Sequence, residues 1–172
     1  MVRWRRGGRR RSWWVLLGGF STLLASRPLA AAPNAVPPQL LPIEARWCIR
    51  KTVCIDLEVA DEPEEQRLGL MQRPVLPPMR GMWFPFARPQ PLKFWMHRCL
   101  APLDMLFIRD QRLIAIHADV PICPSLPCPS YGADPDGDGR IDLADGVLEL
   151  RAGEAMRLGL QVGDVVTIEP TS

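Results

Sequence analysis

Residues 134–145, DPDGDGRIDLAD, carry aspartates at the first, third, fifth, ninth and twelfth positions and a glycine at the sixth. Hard carboxylate and carbonyl oxygens at this spacing can surround one Ca2+ ion. The ligand set would be Asp134, Asp136, Asp138, the Arg140 carbonyl, Asp142 through a water, and Asp145. Gly139 supplies the sharp turn. Asp rather than Glu at the twelfth place shortens the bidentate reach, and no helix pattern precedes the loop. These features predict weak affinity, about 10⁻⁴–10⁻³ M, and a role in ordering the local connection. The plainer alternative is a solvated acidic insertion without an ion.

Other residues invite chemistry less directly. Asp104 lies in APLDMLFI between apolar runs, and a buried carboxylate needs a partner. Arg73 or Arg80 would supply an ion pair; the alternative is a general acid–base group. His97 follows Trp95 and Met96 and lies two residues before Cys99, a spacing that would also suit a nucleophile–base pair. Against that, a lone histidine beside an aromatic reads as a strand-end surface residue. Met71, Met79, Met82, Met96 and Met105 crowd the centre of the chain. Thioethers can ligate Cu(I), but methionine is also ordinary core filling. Trp83, Phe86, Phe94, Trp95 and Met96 could line an apolar ligand groove or simply form the core.

The surrounding sequence sets the compartment. MVRWRRGGRRR, then WWVLLGGFSTLLA, then small residues up to Ala31 have the order of a secretory signal peptide. The apolar run falls short of the roughly 20 residues a membrane span needs, so no transmembrane span is expected once residues 1–31 are removed. RRRSWW also suits a twin-arginine route. Seven of the 21 basic residues lie in this leader, leaving 21 − 7 = 14 against 19 acids, a net of −5. That balance gives no electrostatic reason to bind nucleic acid. Export, to a periplasmic or extracellular space, favours disulfides. Cys123 and Cys128, in CPSLPC, suit a tight loop staple; Cys48 and Cys54 could face one another across a hairpin, a pairing the sequence leaves open.

Residues 32–44, rich in proline, read as a linker, with one globular domain over 45–170. VCIDLEVA alternates, which predicts a half-buried strand with Cys54, Asp56 and Glu58 outward. DEPEEQRLGLMQRP predicts a short helix capped by Asp61 and stopped by Pro74. Residues 76–92 read as loop with one short strand near Met82 to Phe84. Two strands about Asp110-Gln111, a strand at VLEL, a short helix in AGEAMRLGL and a last strand in DVVTIEP complete a β-rich α+β domain with two short helices.

Three stretches, RLGLMQRPVLPPMRGMWFPF, FWMHRCLAPLDMLFI and VLELRAGEAMRLGLQVGDVV, resemble the family catalogued as domain of unknown function 192, over roughly 45–170. The resemblance implies a compact β-rich, partly barrel-like domain and leaves the biochemical activity unassigned. Where family members commonly read Met-Lys-Asn-Thr, this chain has Met96-His97-Arg98-Cys99. The leading expectation is an exported binding or accessory module with a structural calcium loop, its partner an unknown small molecule or protein. The alternatives are an enzyme using Asp104 with Arg73 or His97, and a copper-handling protein using the methionines.

Overall fold

The computed structural model describes residues 37–134 and 137–171. The leader, residues 32–36 of the expected linker, and Asp136 of the acidic loop lie outside the described residues. The ordered chain begins earlier than Ala45. Gln39 donates from its side-chain amide to the carbonyls of Glu65 and Gly69 (2.8 and 2.9 Å), and the Leu41 N–H donates to Glu58.

Nine strands form: β1 (Ile43–Arg50), β2 (Val53–Val59), β3 (Arg80–Gln90), β4 (Phe94–Trp95), β5 (Leu103–Arg109), β6 (Arg112–Val120), β7 (Ser130–Tyr131), β8 (Ala144–Arg151) and β9 (Ile168–Pro170). Seven build one sheet in the order β6-β5-β8-β3-β2-β1-β9, and β4 pairs with β7 in a separate ribbon. All neighbours in the large sheet run antiparallel except β2 and β3. A parallel pair needs a crossover connection, which α1 (Pro63–Leu68) supplies. Glu62 rather than Asp61 is its N-cap, and the Glu65 carboxylate accepts the Glu62 N–H at 3.3 Å.

The segment read mostly as loop is instead the long strand β3. Its prolines do not interrupt it because only residues 80–83 pair with β2, and Pro85, with no N–H to give, falls beyond that stretch opposite Gly146 of β8. The hairpin at Asp110-Gln111 forms as expected. Both residues take positive φ (48° and 59°), the geometry of a two-residue turn matched to strand twist.

The large sheet is covered on both faces. On one, Met82, Phe84, Met105, Phe107 and Val147 pack under the β4 segment. On the other, Trp47, Ile55, Leu57, Leu106, Leu113, Leu148 and Leu150 pack with Ala155 and Leu158 of α2 (Glu154–Leu158). Strands from both halves of the sheet feed this second cluster, so the sheet curls around it. Leu113 N–H to Asp164 O, Gly163 N–H to Leu113 O and Val166 N–H to Gln111 O tie the segment before β9 to the β5–β6 turn (3.0, 2.7 and 2.8 Å). The edge strands β6 and β9 do not pair with each other, so the sheet stays open and the barrel-like expectation reaches no further than this tie.

Candidate functional site

Asp104 is wholly buried on β5, and its partners are not the expected arginines. One carboxylate oxygen accepts the N–H groups of Asp119 and Gly153 (2.8 and 3.0 Å), and the other accepts Ala155 N–H (2.8 Å). It joins β5, the end of β6 and the start of α2. Arg73 pairs instead with Glu58, bidentate at 2.7 and 2.9 Å, and also donates to the Gln39 carbonyl; Arg80 stands 3.9 Å from the same carboxylate. Glu58, expected to face solvent, is buried there. His97 lies elsewhere, half-buried against Trp95 with ring centroids 5.2 Å apart, its backbone bridging to Cys123. Asp104, Arg73 and His97 therefore sit in three separate contact sets.

The sheet carries another acid. Across β2, β3, β8, β5 and β6, residues Glu58, Met82, Glu149, Met105 and His117 stand side by side in register. Glu58 has Arg73, and His117 holds the Gly132 carbonyl through Nε2 at 2.7 Å. Glu149, in the middle, is 4% exposed. Among the described residues no hydrogen-bond donor or cation reaches its carboxyl. It faces a small cavity of ≈ 40 Å³ between Gly69 to Met71, Phe84, Phe94, Trp95 and Cys99. Burial pushes the Glu149 carboxyl up to about 8, so it carries a proton at neutral pH.

Cys99 borders the same cavity. Burial, with Glu149 adding to it, pushes its thiol up to about 12, the opposite of what a nucleophile needs. No hydrogen bond joins it to His97 among the described residues. The other four cysteines form two pairs, Cys48–Cys54 and Cys123–Cys128. Cys48 and Cys54 are direct cross-strand partners in the β1–β2 hairpin.

The expected aromatic groove divides. Phe94 and Trp95 line the Glu149 cavity, while Trp83 and Phe86 line an open cleft of ≈ 580 Å³ with Asp110 and Asp145. Met96 is core. In the cleft, Trp83 lies so close over Gly146 that a Cβ there would meet the ring at 1.8 Å, and Asp145 accepts the Asp110 N–H at 2.9 Å. The cleft is larger, yet the cavity holds the unpartnered group, and the chemistry follows the group. The methionines also divide. Met82, Met96 and Met105 are sealed in one core, Met71 borders the cavity, and Met79 packs on the opposite face of the sheet, where its sulfur accepts from Arg157 at 3.0 Å.

In the acidic loop, Asp134 accepts the N–H groups of Asp138 and Gly139 (both 3.1 Å), and Asp138 accepts that of Arg140 (2.8 Å). Among the described residues no three His, Cys, Asp or Glu side chains converge as a metal cluster. The Arg140 carbonyl and Asp142 have no part in these contacts, and Asp145 turns to the β5–β6 hairpin.

Fold and site together define a β-rich α+β domain in which α1 and the β4 segment close over an unpaired acid on the central sheet. All three sequence stretches singled out above reach this cavity. The chain belongs to the DUF192 family, described as "Uncharacterized ACR", whose profile matches residues 46–168. A crystal structure from Sinorhizobium meliloti 1021, described as a candidate transcription regulator, is 31% identical with a TM-score of 0.59, covering 74% of this chain and 92% of its own. A protein of unknown function from Novosphingobium aromaticivorans DSM 12444 is 28% identical with a TM-score of 0.57, covering 77% and 94%. No curated protein is significantly similar.

Proposed function

We propose that this chain is an exported accessory module that binds the polar tip of a small ligand in the Glu149 cavity. The observation that carries the reading is the Glu149 carboxyl itself. No fully buried side-chain oxygen or nitrogen among the described residues lacks a partner, so the Glu149 carboxyl, 4% exposed, keeps its remaining solvent contact through a gap lined by Phe84, Phe94 and Trp95. A site that reads an incoming hydrogen-bonding group needs that combination of apolar wall and waiting polar atom. The acid–base alternative is weaker, because Asp104 spends its oxygens on three backbone N–H groups. The dispersed methionine sulfurs likewise favour packing over copper.

Two further elements of the reading have their own support. The two cysteine pairs favour an oxidising compartment, and no described helix is long and apolar enough to cross a membrane. The transcription-regulator description of the Sinorhizobium protein does not carry over: beyond the leader 14 basic groups face 19 acids, and nucleic-acid affinity leans on Lys and Arg. The acidic loop keeps its calcium reading in a reduced form. Asp134 and Asp138 already organise the turn, while Asp145 must leave the Asp110 N–H to ligate an ion. The loop would then respond to calcium with a small rise in thermal midpoint, and no change at millimolar calcium removes the ion from the reading.

The test of the module is chemical-shift mapping with n-propylamine, n-propanol and propionate. Shifts grouped at residues 68–71, 94–99 and 149 with any one of them support the site. Silence there with all three ends the proposal.

A further inference from the structure

Resting on that reading, we infer that the Glu149 cavity is a receptor for a terminal primary ammonium group, carried on a small alkylamine or on a lysine side chain, that enters beside Trp95. Donor chemistry comes first. The gap of ≈ 40 Å³ beside Glu149 is small and open to solvent. A primary ammonium brings the N–H donors that a carboxylate pairs with; a quaternary ammonium brings none.

The walls come second. Phe84, Phe94 and Trp95 line the gap, and aromatic rings can attract a desolvated cation. Trp95 is 45% exposed, so it forms a mouth rather than a seal, and the alkyl chain behind the ammonium has an apolar surface to lie against.

Charge comes third. Among the described residues no ion pair joins Glu149 to a cation of the protein. Arg67, at the rim on α1, is held bidentate by Glu64 at 2.7 and 2.6 Å. Arg73, one strand pair away, is committed to Glu58. His117, beyond Met105 on β6, is held by the Gly132 carbonyl. Cys99 is the remaining titratable neighbour and stays a neutral thiol. The site is thus a neutral acid waiting for a partner that would make ionisation favourable.

The exchange balances simply. The ligand enters as R–NH3⁺, the Glu149 carboxylic acid loses its proton to solvent, and a carboxylate–ammonium pair remains in the cavity. One proton is released for each ligand bound. Affinity therefore rises about tenfold per pH unit while the acid is protonated in the free protein. It levels off above the acid's titration near 8, and falls once the free amine loses its own proton.

The experiment is titration of the purified protein with n-butylammonium and with Nα-acetyl-lysine amide from pH 6 to 9, with n-butanol and tetramethylammonium as comparisons. Tightening of about tenfold per unit between pH 6 and 8, a plateau above, and loss of binding and slope in Glu149→Gln are expected. Trp95→Ala, on an exposed side chain, weakens binding several-fold and keeps the test available if Glu149→Gln fails to fold. Binding of both probes, or of one alone, supports the inference and identifies whether a free amine or a lysine side chain is preferred. If n-butanol binds as tightly as the amine with no pH slope, the ammonium inference is overturned while the ligand module survives. Tetramethylammonium binding as well as n-butylammonium overturns it, because a quaternary cation offers Glu149 no N–H. If none binds, both readings fall together.

Discussion

Replacing Asp104 by Asn separates a structural anchor from a working acid. The wild-type carboxylate accepts three backbone N–H groups at 2.8–3.0 Å without solvent. An amide keeps one acceptor oxygen and turns an NH2 toward donors, so at least one N–H loses its partner and the rest lose charge assistance. With hydrogen bonds to charged groups at about 1.5–3 kcal/mol each, the expected loss is about 3–5 kcal/mol. A domain of about 135 residues unfolds with an entropy of about 0.28 kcal/mol/K, so the thermal midpoint should fall by about 10–18 °C. Calorimetry measures the shift, and hydrogen exchange at Asp119, Gly153 and Ala155 should quicken in the same variant. A drop of under about 3 °C, equivalent to less than about 1 kcal/mol, would refute the anchor and return Asp104 to the list of reactive groups.

Three other outcomes follow from the same geometry. Arg73→Met strands the Glu58 carboxylate in the interior and should cost about 3–5 kcal/mol in chemical denaturation; adding Glu58→Leu should recover most of it, and no recovery would mean the cost is not the stranded charge. Glu149 holds its proton to about 8 in the fold against 4.5 in the unfolded chain. Between those values the folded state binds more protons, so stability falls as pH rises, by up to about 1.4 kcal/mol per unit, and the group contributes no further slope above 8. Glu149→Gln should flatten that part of the profile, and an unchanged profile sinks the assignment. Cys99, with its thiol pushed up to about 12, should resist iodoacetamide at pH 8 in the native protein and accept one label per chain after unfolding without reductant; rapid native labelling would contradict its burial.

What the sequence left hidden is the second face of the sheet. Alternation in VCIDLEVA and the strand VLEL were both visible, and strands formed at both. Alternation implies core on one side and water on the other, which is right for a half-exposed antiparallel sheet. Here α1 and the β4 segment cover the second face, so Glu58 and Glu149 occupy an interior that the pattern assigns to solvent. Asp104 drew attention because its neighbours on both sides are apolar; Glu149, between Leu148 and Leu150, carries the same signal. The prolines of β3 misled in a different way. They mark loop only if every N–H in the strand must serve a ladder, and β3 needs few of its N–H groups beyond Trp83. The Cys123–Cys128 staple and the β5–β6 turn were legible because spacing and local backbone geometry decide them. The cavity was not, because it requires four distant stretches to meet, and only the order of the strands brings them together. An acid flanked by apolar residues in a strand is therefore better read as a question about which element covers that face than as a solvent-side residue.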